Sequence, residues 1–263
     1  MKKDSEQRVA MYKQYADRRM ASRRTWEKSE ECRDLCERTK LEAARIVSLG
    51  ERYCEMILQN PDTIRGKAVT FEYAAAGNIH RGFYCPSPVY DLLFGYTNRG
   101  RIIKGAEAKK ARWRFAYDEN GRMIYVDRLK GKSVIETEYL FYIGQTRLGV
   151  LLDENSIIKN ITEEVFEQEL LVLYSMATVY PDENDYFCAE FRTEQYIRDE
   201  IGLRICEIQD FQPYVSYFQN KDRIVFEREN GYLKSYTVTE YATAAADEEW
   251  PTADYIVGIP RKA

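Results

Sequence analysis

Four groups of side chains in this 263-residue sequence have the chemistry to act on something. The single histidine, His80, lies in Gly77-Asn78-Ile79-His80-Arg81-Gly82, five residues before Cys85. An imidazole can take a thiol proton, so His80 and Cys85 form the minimal pair for nucleophilic chemistry. No flanking signature accompanies them, and a loop histidine with an ordinary hydrogen bond is the plainer identity. One histidine also excludes a centre built from several imidazoles. Cys32 and Cys36 stand at i, i+4, with Cys54 downstream and no CxxC spacing. They read as small apolar packing residues, so neither a metal nor a cofactor is expected.

The third group is basic. Arg99, Arg101, Lys104, Lys109, Lys110, Arg112 and Arg114 face a single acid, Glu107, within sixteen positions. Positive clusters meet phosphates. The glycine- and arginine-rich region 77–114 is therefore a candidate nucleotide, anion or enzyme site. Arg81, Arg99 and Arg101 would be its anion clamps, and Cys85 or Asp91 its reactive groups. No GxGxxG or GxxxxGK[ST] pattern supports it, and nucleic acid is not the expected ligand. Trp113 and Phe115 read as strand residues facing a core. The fourth group is acidic: residues 131–263 carry 25 acids against 12 bases, whereas residues 61–130 carry 7 against 13. Such an imbalance steers a basic partner. Glu183, Asp185 and Glu229 are the candidate contacts.

These residues need elements to hold them. Residues 4 to about 59 contain no proline and repeat apolar residues at helical spacing, as at Ile46, Leu49, Tyr53 and Ile57. Gly50 is a candidate break that would make a helical hairpin, and Asn60-Pro61 ends the run. Before residue 30 the stripe thins to Val9, Tyr12, Ala16, Met20 and Trp26, which predicts a helix that projects or packs lightly. Residues 61–112 are rich in glycine and irregular, with strand-like alternation at Val69–Tyr73. From Trp113 the pattern turns to hairpins. Asp118-Glu119-Asn120-Gly121, Asp153-Glu154-Asn155-Ser156, Asp182-Glu183-Asn184-Asp185 and Arg228-Glu229-Asn230-Gly231 are turn tetrads between alternating flanks. Segment 162–178 fits a helix or a strand, and its strand neighbours favour strand. A tail over 241–263 ends in a short strand at Tyr255–Ile259.

The expected fold is α+β: a long N-terminal helix or helical hairpin over 1–60, then a large curved antiparallel β-meander over 61–263. Within the latter, 61–112 is irregular, 113–240 is the hairpin meander and 241–263 is the tail. The first twenty residues lack an apolar core of the secretory kind. Leu170–Tyr180, the longest nearly apolar run, is too short to span a bilayer. The six cysteines then read as reduced thiols of a soluble, cytoplasmic chain.

Tyr117-Asp118-Glu119-Asn120-Gly121-Arg122-Met123-Ile124-Tyr125-Val126, followed by Gly131-Lys132 and Glu138-Tyr139, resembles one unit of the YD repeat of Rhs-type proteins. The resemblance covers about 25 residues closely and extends loosely to residue 240. It implies a continuous antiparallel sheet. Because Rhs-type systems come with inhibitors of their toxins, it also suggests a non-catalytic, immunity-like binding protein with a protein partner of basic character.

Overall fold

The computed structural model describes residues 21, 24–75, 87, 89, 102–182, 185–200, 202–229, 232–240 and 253–256. The chain is α+β, an N-terminal helix followed by a large antiparallel sheet of 13 strands. Helix α1 is Glu30–Gln59 and α2 is Pro61–Arg65. The strands are β1 (Thr70–Ala74), β2 (Ile102–Ile103), β3 (Trp113–Tyr117), β4 (Met123–Lys130), β5 (Ser133–Ile143), β6 (Thr146–Asp153) and β7 (Ile158–Glu167). They continue with β8 (Leu170–Asp182), β9 (Asp185–Asp199), β10 (Gly202–Gln212), β11 (Tyr217–Glu229), β12 (Tyr232–Glu240) and β13 (Ala253–Ile256). From β3 onward the strand order is the chain order, and β1 lies between β3 and β2. Among the described residues no helix is long and apolar enough to cross a membrane.

Two compact units divide the chain: Glu42–Gln195, and Met1–Leu41 with Tyr196–Ala263. In the first, Ala43, Ile46, Val47, Cys54 and Ile57 bury one stripe of α1 against the sheet. Tyr125, Tyr139, Val150, Ile161 and Ala177 receive it; each is the direct cross-strand partner of the next, on β4 to β8. Direct partners share a face, so these five form one apolar rung. Gly50 does not break the helix, which is continuous to Gln59. Its hydrogen atom, in place of a methyl, lets α1 settle onto Ile161. Pro61 ends α1 and opens α2, since a proline lacks the N–H that an interior turn needs but loses nothing at a first-turn position.

The turns follow local chemistry. Asp118 accepts backbone N–H bonds from Asn120 and Arg122, both at 2.9 Å, and Gly121 adopts φ 72°. Asp153 does the same for Asn155 and Ile157, with Ser156 at φ 65° in the glycine's place. For the other two tetrads, Asp182 pairs with Asp185 and Glu229 with Tyr232, each closing a two-residue connection. Segment 162–178 is strand on both arms: β7 and β8 reverse at Gln168 and Glu169, both with positive φ, as a two-residue hairpin of the right twist requires. The last strand begins at Ala253, two residues ahead of the expected Tyr255, and residues 257–263 lie outside the described set.

In the second unit Cys32 and Cys36 pack with Phe211, Phe218, Trp26 and Leu35. Phe211 and Phe218 are cross-strand partners with ring centroids 4.5 Å apart. Trp26 meets Phe218 edge-on at 5.7 Å and Lys221 caps the indole at 5.5 Å. The thin stripe before residue 30 therefore still supplies an anchor.

Candidate anion-binding cleft

On the sheet face away from α1, a cleft of about 960 Å³ opens within residues Lys109–Asn160. A 3-10 turn, Gly105–Lys110, presents Lys109 and Lys110, and β3 begins with Arg112 beside it and Trp113. Trp113 is opposite Arg128 on β4, and Arg128 is opposite Glu136 on β5, so the three share one face. Lys130, at the end of β4, and Lys159 and Asn160 on β7 complete the wall. Six cations thus line the cleft with one carboxylate. Arg128 donates to Glu136 at 2.9 Å and Lys159 pairs with Asp153 at 3.2 Å. Lys109, Lys110, Arg112 and Lys130 make no ion pair among the described residues. The cleft therefore has about four uncompensated positive charges in a concave surface, where field lines concentrate and draw anions.

Two features go beyond charge. Trp113 is half-buried, and the Arg128 guanidinium stands 6.0 Å from its ring centroid. Asn160 Oδ1 is buried without a hydrogen-bond partner. A buried acceptor in that state costs about 1–3 kcal/mol until a donor reaches it.

The same sheet face holds a second polar group, of different character. Tyr142, Arg147, Glu164, Tyr174 and Glu194 face one another in a row across β5 to β9. Glu164 and Glu194 are fully buried. Arg147 grips Glu164 with two guanidinium nitrogens; Arg192, at 2.7 Å, and the Ser87 hydroxyl, at 2.6 Å, donate to Glu194. Burial pushes the Glu164 carboxyl above its usual range, and Arg147 opposes the shift. On the α1 face, fully buried Asp127 accepts from Arg65, Arg114 and Thr137, and Glu163 is gripped by Arg45. These are paired, internal charges that hold elements in place.

Cys32 and Cys188 offer little reactivity. Burial, reinforced by neighbouring Cys36, pushes the Cys32 thiol up to about 12, and burial pushes Cys188 to about 12. A protonated thiol is a poor nucleophile.

Of the residues expected from sequence to form a site, Arg81, Arg99, Arg101, His80, Cys85, Asp91 and Glu183 lie outside the described residues. Asp185 and Glu229 are placed by their backbones at the start of β9 and the end of β11, and their side chains lie outside the description. The structure gathers the end of the basic run, Lys109 to Trp113, into the cleft, and adds Arg128, Lys130, Lys159 and Asn160. Phe115 is fully buried, and half-buried Trp113 packs against the same apolar cluster, as expected, while its remaining surface lines the cleft. The added residues come from two further segments of chain, β4 and β7, and carry no signal in sequence, because only strand pairing brings them together. No protein-family model matches the chain, and no curated protein matches it.

Proposed function

We propose that this chain is a binding protein that holds a phosphate-bearing polyanion in the basic cleft of residues 109–160. The supporting observation is the set of four cations, Lys109, Lys110, Arg112 and Lys130, that converge on one concavity without carboxylate partners among the described residues. An opposite reading, an immunity-like inhibitor that docks a basic protein on the acidic C-terminal half, draws on the excess of acids after residue 131. Four of those acids, Glu138, Glu163, Glu164 and Glu194, are buried, so they add nothing to a docking surface. The cleft is the better supported site.

Inorganic polyphosphate is the direct probe, since it carries the charge and no other recognisable group. Calorimetric titration at low salt should give binding that weakens steeply as salt rises, because bound phosphates release counterions. Reversing Lys109 and Lys110 to Glu should reduce both the affinity and the salt slope. Binding that ignores this double reversal, or no binding at all, would overturn the proposal.

A further inference from the structure

We infer that Asn120-Gly121, at the tip of the β3–β4 hairpin, is a self-modification site that the Asp118 turn holds shut. Both residues are exposed. The nucleophile is the chain's own backbone nitrogen and the co-reactant is water, so no partner has to reach it. The inference is independent of the anion-binding cleft, which uses none of these residues.

The reaction is closure of a succinimide ring. The Gly121 nitrogen attacks Cγ of Asn120, and an N–Cγ bond forms. The Cγ–Nδ2 bond breaks, and Nδ2 leaves as ammonia with the proton that Gly121 gives up. Water then opens the ring at either carbonyl, leaving aspartate or isoaspartate in place of the asparagine. Nothing is oxidised or reduced. Glycine at position 121 favours the attack because no side chain crowds its nitrogen. The isoaspartate product adds a main-chain carbon inside the connection that sets Phe115 opposite Val126.

The folded turn opposes the attack in two ways. The Gly121 N–H donates to the Asp118 carbonyl at 3.0 Å, so the proton that must leave is held. The same bond closes a four-residue turn over Asp118–Gly121 in which neither Glu119 nor Asn120 has positive φ, the type I form. Asp118 Oδ1 pins Asn120 on one side and Arg122 on the other through their backbone N–H groups, both at 2.9 Å. Bringing the Gly121 nitrogen round to face Cγ of Asn120 breaks the bond to the Asp118 carbonyl. Modification therefore waits on opening of the turn, a local event that leaves the rest of the sheet paired. The turn at Asp153 supplies a built-in comparison. Ser156 N–H donates to the Asp153 carbonyl at 2.9 Å, but Ser156 carries a side chain beside its nitrogen. Asn155 is the slower site even when its turn is open.

The test is incubation of the full chain in mildly alkaline buffer, native and in urea. Peptide mapping then separates asparagine, aspartate and isoaspartate at Asn120, at Asn155 and at the other Asn-Gly pair, Asn230-Gly231. Asn120 should convert readily in urea, faster than Asn155, and at least about tenfold more slowly in the native chain, as a modest local opening equilibrium requires. Asp118→Ala should speed native conversion at Asn120 about fivefold, the effect of losing one ordinary hydrogen bond, and leave Asn155 unchanged. Asp118→Asn, which keeps an acceptor oxygen in place, should restore most of the protection. Asp153→Ala, the matching change in the other turn, should leave Asn120 as it was, so release of this turn is told from a general loss of stability. Equal rates at Asn120 in the native and unfolded chains, no conversion in urea, or an Asp118→Ala effect matched by Asp153→Ala would each overturn the inference.

Discussion

Gly50 sits directly on Ile161. A Cβ at position 50 would lie 2.5 Å from Cγ1 of Ile161 and 3.0 Å from Cγ2, and would overlap Cδ1. Ile161 is fully buried on the central rung of the sheet and has no room to retreat. Two effects oppose each other at this position. Replacing a helical glycine by alanine gains about 1 kcal/mol in propensity. Forcing an extra carbon into a filled core costs about 1–3 kcal/mol. The overlap is deep, so packing wins. Gly50→Ala should lower stability by about 1–2 kcal/mol in urea unfolding. In an Ile161→Ala background the same change should become neutral or stabilising.

Asp127 has two guanidinium partners and a threonine hydroxyl, and Arg65 carries much of that set from α2. Arg65 also lies 4.7 Å from the Tyr125 ring centroid. Removing one member of a buried ion pair leaves the other charge stranded, at about 3–5 kcal/mol. Since Arg114 would remain on Asp127, Arg65→Ala should cost about 3 kcal/mol, at the lower end of that range. Arg65→Lys should rescue little of it, because an ammonium cannot reproduce the fork. Denaturant midpoints of the three proteins decide the matter.

The turns at Gly121 and Ser156 are built alike, yet only one has the residue its backbone favours. A side chain in the left-handed region costs about 1–2 kcal/mol, partly offset by the greater freedom of glycine in the unfolded chain. Ser156→Gly should raise stability by about 0.5–1 kcal/mol. Asp153→Ala should act the other way, because it releases the two backbone N–H groups of Asn155 and Ile157. Thermal unfolding of each variant reads both signs.

Glu164 gives the fold a pH dependence. Burial holds its carboxyl above 4.5 despite Arg147, so the folded chain keeps that proton to higher pH than the unfolded chain does. Stability from this group is therefore lost as pH rises from about 4.5 through the folded value, with a slope set by the difference in bound protons. Glu164→Gln stays neutral at every pH, as the protonated carboxyl is, and has no such loss to undergo. Its stability-against-pH curve, measured from pH 4.5 upward, should therefore decline less than that of the parent. Parallel curves would contradict the assignment.

What could be read from the sequence was local. Asp118 and Asp153 announce their turns because the aspartate, the asparagine and the reversing residue are within four positions of one another. Helix α1 is legible for the same reason, from the spacing of Ile46, Tyr53 and Ile57. Gly50 was misread as a break because its role belongs to Ile161, more than a hundred residues away. The Asp127–Arg65 pair was invisible on similar grounds, and the acids at 163, 164 and 194 looked like surface charge until strand pairing turned them inward. For the cleft, the basic run gave one wall. The other walls come from β4, β5 and β7, and Asn160 gives no hint in sequence that its oxygen lacks a donor.

Because β3 to β12 pair in the order in which they are synthesised, each strand leaves the ribosome to find its template just completed. Such a chain can build its sheet vectorially, hairpin upon hairpin, with short loops to close and little entropy lost at each step. β1 is the exception. It meets β2 first, at Ala74–Ile102, and then β3, where Ala74 pairs with Trp113 across thirty-eight intervening residues. Of the paired strands, β1 and β3 enclose the longest stretch of chain, so their pairing carries the largest loop entropy in the sheet.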